Sequence, residues 1–208
     1  MEEKAERKNT VYSVTNRIAS RLIQMEETSS GKATLAELRK SIGKPLSETI
    51  GVWSTLYDQL PEEFLGQGEQ LSKEEKSILY ALQILALSEQ GSKKSGMMAE
   101  EEEIDGEKVK NRWKNMGHTF RSLRMGENTT AVDRRFNALI TASTFEEFIY
   151  HLRQMTKLMK AKTTAPIHYG KLAEDLYWFQ RGEEERVRLA WAKAYYQRNK
   201  KGEENNEQ

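Results

Sequence analysis

The stretch TFEEFIYHLRQMTKLMKAK, residues 144–162, carries the clearest sign of the fold class. At about 100° per residue, Phe148, Leu152, Met155 and Met159 fall within about 60° of arc, and Arg153, Lys157 and Lys160 fall on the opposite side. A strand would alternate with period two, whereas this run repeats at steps of three and four, the spacing of a long amphipathic helix. Thr144 stands where a capping hydroxyl belongs. The same spacing recurs on both sides. Residues 132–142 carry Val132, Phe136, Leu139 and Ile140; after a loop at Pro166, residues 169–180 present Leu172, Leu176 and Phe179. A last helix over 183–198 has Val187, Trp191, Ala194 and Tyr195 on one side.

Further upstream, Val11, Val14, Ile18, Leu22 and Met25 make another stripe, capped by Asn9 or Thr10. A short amphipathic turn over 34–39 stops near Gly43 and Pro45, and residues 47–60 offer a second stripe of Ile50, Trp53, Leu56, Tyr57 and Leu60. Pro61, Gly66 and Gly68 break the pattern. Ser72 with Glu75 then forms a capping box ahead of the apolar run 78–87, the expected centre of the first half. From Gly91 to Gly106 the composition turns to Gly, Ser, Lys and an acidic run of Glu100, Glu101, Glu102, Glu103 and Asp105, which predicts a mobile, dispensable loop. Helical spacing resumes at Val109 with Trp113, Met116 and Phe120. The expectation is an all-α protein: helical subdomains over 1–96 and 108–202, an acidic flexible loop over 97–107, and a frayed tail over 203–208. Trp53, Leu82, Phe136, Leu152, Leu176 and Trp191 are expected in the core.

Composition agrees with a helical chain. Only 3 of 208 residues are proline, so few positions forbid a helix. Lys and Arg total 33 against 32 Asp and Glu, a formal charge of +1, so a polyanion partner must be argued from local segregation of charge. Zero cysteines exclude disulfides, thiolate nucleophiles and cysteine-ligated metal centres. The charged Met1–Lys8 start carries no secretory apolar region, and the longest apolar run is far below the roughly 20 residues of a membrane span. A soluble cytoplasmic protein is expected.

No catalytic, cofactor or metal motif is legible. His118, His151 and His168 stand far apart and share no ligand spacing. The contiguous glutamates lack the spacing and turn glycine of a calcium loop, and Gly66-Gln67-Gly68 has no following phosphate-binding signature. Charge says more. Between Lys108 and Arg124 six basic residues occur with no acidic one, Lys114 and Arg121 among them. The Arg153, Lys157 and Lys160 row has no interleaved acid, unlike a surface built only for solubility, and Arg134-Arg135 add two guanidiniums to the preceding helix near its positive end. These seven residues are the candidate nucleic-acid contacts. The aromatic pairs near the C-terminus are core at helical spacing, but only one of each pair can face inward, which leaves Trp178 and Tyr196 on the surface.

The strings Val132-Asp133-Arg134-Arg135-Phe136-Asn137-Ala138-Leu139, His151-Leu152-Arg153-Gln154, Tyr169-Gly170-Lys171-Leu172-Ala173-Glu174-Asp175-Leu176-Tyr177 and Arg186-Val187-Arg188-Leu189-Ala190-Trp191-Ala192-Lys193 together resemble the CasB family, the small subunits of the type I-E CRISPR Cascade surveillance complex. Ala36 to Lys40, Trp53 and Met116-Gly117-His118 with Arg121 fall where that family has similar elements, so the resemblance spans nearly the whole chain outside 91–107. His168 replaces an acidic residue common in the family, and Ala194 stands where Asp is expected. The resemblance implies a helical, non-catalytic protein without cofactor or metal. It implies two copies per complex, contacts to the Cascade backbone and large subunits and to guide RNA, and a hold on the displaced single-stranded DNA through arginines that map onto Arg134 or Arg135 and Arg153. A purely structural module, touching protein alone, is the competing expectation.

Overall fold

The computed structural model describes residues 9–197 other than 69, 92, 93, 95, 105 and 126–128, with backbone only at Leu46 and Ile104. The expected tail over 203–208 lies outside the described residues. Among the described residues the architecture is helical, with one short hairpin. Helices α1 (Val11–Gln24) and α2 (Ser29–Lys40) open the chain, followed by two 3-10 turns and the short α3 (Trp53–Tyr57). Then come α4 (Lys73–Ser88), strands β1 (Glu101–Ile104) and β2 (Glu107–Lys110), and α5 (Met116–Arg121). The last four helices are α6 (Thr130–Ile140), α7 (Phe145–Lys162), α8 (Tyr169–Trp178) and α9 (Glu184–Tyr196).

Caps explain where these helices begin. Thr10 and Ser13 form a capping box at α1, Ser72 and Glu75 another at α4, and the Thr144 hydroxyl accepts from the Glu147 N–H at α7. His168 caps α8: its Nδ1 accepts from the Lys171 N–H at 3.4 Å, the task an acidic residue would perform there. Between α8 and α9 the chain turns at Gly182, whose φ of 87° suits a residue without Cβ.

Helix α4 is buried nearly all round, and it packs against α1, α2, α7 and α8. It is therefore central to the whole chain and not only to the first half. One apolar cluster runs through both halves, from Val14, Ile18 and Leu38 through Leu82 and Leu85 to Phe148, Leu172 and Trp191. Leu82, Phe136, Leu152, Leu176 and Trp191 are buried as expected. Trp53 is not: it is 40% exposed, because residues 47–60 form short 3-10 and α turns whose changing pitch leaves Val52, Leu56 and Leu60 inward and turns Ile50, Trp53 and Tyr57 out.

Residues 97–110 also depart from the expectation. Glu101 to Ile104 pair antiparallel with Glu107 to Lys110, which sets Glu101 opposite Lys110 and Glu103 opposite Lys108. Opposite charges across a ladder favour the pairing, a signal invisible when each charge run is read alone. The hairpin is anchored at its base. Met98 is buried and its N–H donates to the Ile167 carbonyl at 2.9 Å, while Glu100 accepts from the Tyr12 hydroxyl and the Asn16 amide of α1. The His168 Nε2 and the Tyr12 hydroxyl, 3.0 Å apart, complete this polar junction between α1, α8 and the hairpin. The helix expected from Val109 starts only at Met116, where Asn115 caps it.

Candidate nucleic-acid interface

Helices α6 and α7 pack against each other and are joined by only four residues. Phe136, Leu139, Phe148, Leu152, Met155 and Met159 are buried toward the core, which leaves Arg134, Arg135 and Lys157 aimed outward. Arg134 and Arg135 are exposed and make no ion pair with a described residue. They stand in the second turn of α6, so the helix dipole opposes them less than a first-turn position would. Asp133 between them and the helix start is already committed: it accepts from Arg124 Nε at 2.9 Å and from the Tyr195 hydroxyl at 2.8 Å, which together with Thr129 hold its carboxyl below the usual range against the opposing effect of burial. Lys157 is exposed and likewise free of ion pairs with described residues. By helical rise it lies about 9 Å further from the connecting turn than Arg134.

Arg153 and Lys160 are placed differently from the sequence expectation. Burial on α7 extends beyond the apolar arc to Ile149 and Thr156, and α4 packs against α7. On the helical wheel Arg153 and Lys160 border that buried side and Lys157 lies beyond it. Accordingly Arg153 donates to Gln83 Oε1 at 2.9 Å, with its guanidinium 5.5 Å from the centre of the Tyr80 ring, and Lys160 donates to the Leu87 carbonyl at 3.1 Å. Arg39 donates to the neighbouring Ala86 carbonyl at 3.1 Å, so two cations sit on the carbonyl end of α4, where the dipole favours them. Burial lowers the pKa of both Arg153 and Lys160, and the Arg39 charge adds to the effect at Lys160.

The second candidate region divides too. Lys114 pairs with Glu102 of β1 at 2.9 Å, whereas Arg121, partly exposed, has no ion pair with a described residue. Arg112 lies over the Tyr12 ring and reaches Glu174 at 3.6 Å. Trp113, placed on a helix by its spacing, lies in the turn before α5 and is 56% exposed. Asn111 and Asn115 on either side of it were the available sign of a turn, since asparagine favours turns and caps. Trp178 and Tyr196 are on the surface and Phe179 and Tyr195 are buried, as the adjacent-pair argument requires. Among the described residues no group of His, Asp or Glu is arranged to hold a metal ion, and no helix is long and apolar enough to cross a membrane.

The same helical arrangement occurs in solved structures. CasB from Thermobifida fusca superimposes with a TM-score of 0.62 at 23% identity, covering 88% of this chain and 97% of that one. CasB from M. ruber gives 0.59 at 22% identity, covering 86% and 92%, and CasB from Thermus thermophilus gives 0.57 at 20% identity, covering 88% and 97%. No curated protein sequence matches the chain. The family model for CRISPR-associated protein Cse2 matches residues 34–196, a span that takes in α4 at the centre of the core and the cationic α6–α7 layer, and the chain belongs to that family.

Proposed function

We propose that this protein is the non-catalytic small subunit of a type I-E Cascade-like surveillance complex in the cytoplasm, present in two copies, and that it holds the displaced DNA strand on its α6–α7 face. The observation that carries the reading is the trio Arg134, Arg135 and Lys157: exposed, aimed outward, and without an ion pair to any described residue. Family membership supplies the CRISPR context. Arg121 and Lys114 serve as further phosphate contacts in this reading, Lys114 once its Glu102 partner gives way. Arg153 and Lys160 act chiefly by fastening α7 to α4, and reach a strand only along its edge. A cationic face of this kind holds a single strand without reading it, while sequence is read by pairing to the guide RNA.

The test is a reconstituted complex carrying Arg134→Glu, Arg135→Glu and Lys157→Glu. Reduced protection of the displaced strand is the expected result, together with a dependence of log affinity on log salt that flattens by about 0.7 for each phosphate no longer neutralised. Normal assembly with unchanged protection at the same salt would overturn it. The second reading, a module that contacts only the backbone and large subunits, is favoured by a different surface. Trp53, Tyr57 and Leu65 are exposed around one shallow cavity, an apolar patch of the kind that meets protein.

A further inference from the structure

Residues 111–115 form a braced turn. The Asn111 N–H donates to the Glu100 carbonyl at 2.7 Å and its side-chain amide to the Ala99 carbonyl at 3.0 Å, so the near end is tied to the segment leading into β1. The Lys114 N–H donates to the Asn111 carbonyl at 2.8 Å and closes the turn. At the far end Asn115 and His118 form a capping box: the Asn115 side chain accepts from the Gly117 N–H, and His118 Nδ1 accepts from the Asn115 N–H. Trp113 projects from this frame. It is 56% exposed, and its ring meets the His118 ring edge-to-face at a centroid distance of 4.7 Å and an interplanar angle of 80°.

A large apolar ring held rigidly in water is costly unless something covers it, and a rigid aromatic loses little conformational entropy when it is covered. The surroundings indicate the chemistry of the partner. No acidic residue occurs between Lys108 and Arg124, and the charges of Lys114 and Arg121 both act on His118, the ring that Trp113 touches. Burial and those two cations push the His118 pKa down to about 4, so that ring is neutral near pH 7. The nearby counter-charge is Glu102 on Lys114, a partly exposed pair that a competing anion displaces at small cost. A flat ring flanked by displaceable and unpaired cations fits a flat group joined to an anion.

We propose that Trp113 is a stacking platform for one unpaired nucleobase, with Arg121 and Lys114 taking the adjoining phosphates. This rests on the strand-holding reading above and adds a base contact to its phosphate contacts. Stacking accepts any base, so the site is indifferent to sequence.

The experiment compares the full-length protein and Trp113→Ala on a labelled 20-nucleotide single strand and on a strand of equal length and charge made of abasic units. Wild type should bind the base-bearing strand more tightly, and Trp113→Ala should weaken that strand alone by about five-fold or more, with Trp113→Phe restoring most of the loss. Equal affinity of Trp113→Ala and wild type for the base-bearing strand would overturn stacking while leaving strand holding intact. Failure of wild type to bind either strand would overturn the strand-holding reading and this one with it. Normal strand binding by Trp113→Ala combined with its absence from the assembled complex would overturn stacking in favour of a protein contact.

Discussion

Arg153→Met separates the role of α7's cations most sharply. Methionine keeps the unbranched stem but removes the donors, leaving Gln83 Oε1, on a side chain only 2% exposed, without the hydrogen bond it now accepts from Arg153. Gln83 Nε2 already donates to the Ser41 hydroxyl at 2.8 Å, so its amide is not free to turn over. An orphaned buried acceptor costs about 1–3 kcal/mol, and loss of the guanidinium over Tyr80 about 0.5–1 kcal/mol more. Because Arg153 keeps some contact with water, about 2 kcal/mol is the expected total, a fall in Tm of roughly 4–8 °C for a chain of this size. Lys157→Met, four residues on and exposed, should change stability by less than about 0.5 kcal/mol. Urea unfolding followed by circular dichroism measures both. Strand binding should show the reverse order, Lys157→Met losing more than Arg153→Met. If the two variants unfold at the same urea concentration, Arg153 is not fastening α7 to α4 and the division between anchoring and outward cations fails.

Trp191→Ala should cost about 3–5 kcal/mol, since the ring is fully buried and its Nε1 donates to the buried Asp175 carboxylate at 2.8 Å; Trp191→Phe should cost less, and a loss below 1 kcal/mol for alanine in chemical denaturation would place the ring outside the core. Gly117→Ala should destabilise by more than about 2 kcal/mol, because a Cβ there would lie 2.2 Å from the Trp191 carbonyl oxygen and force α5 off α9; thermal unfolding at wild-type temperature would refute the close approach. Deleting residues 97–104 should cost about 2 kcal/mol or more through loss of buried Met98 alone, and an unchanged denaturation midpoint would return the segment to the dispensable loop its composition predicts. His118 is held neutral, with a folded pKa of about 4 against about 6.5 when unfolded. Its contribution is therefore complete above about pH 6.5 and lost as pH falls toward 4; His118→Gln should flatten that part of the stability profile, and an identical slope in both proteins would show that the ring does not titrate as described.

Local patterns along the chain were enough to establish the helical class and most of the helix starts, because caps and three-four spacing act over a few residues: Thr10, Ser72 and Thr144 each act on an N–H three residues away. They also settle which ring of the Trp178-Phe179 and Tyr195-Tyr196 pairs lies inside, since neighbours on a helix point about 100° apart. Residues 97–110 were beyond their reach, because the acidic and basic runs make sense only when paired as strands and bound through Glu100 to Tyr12 and Asn16, more than eighty residues earlier. The aim of Arg153 and Lys160 depended on where α4 lies against α7, a contact between helices separated by more than fifty residues, which no periodicity within α7 contains. Periodicity tells which side of a helix is apolar. Only packing tells how far a neighbour wraps around it, and that margin decides whether a cation at the border of the stripe meets a carbonyl or a phosphate.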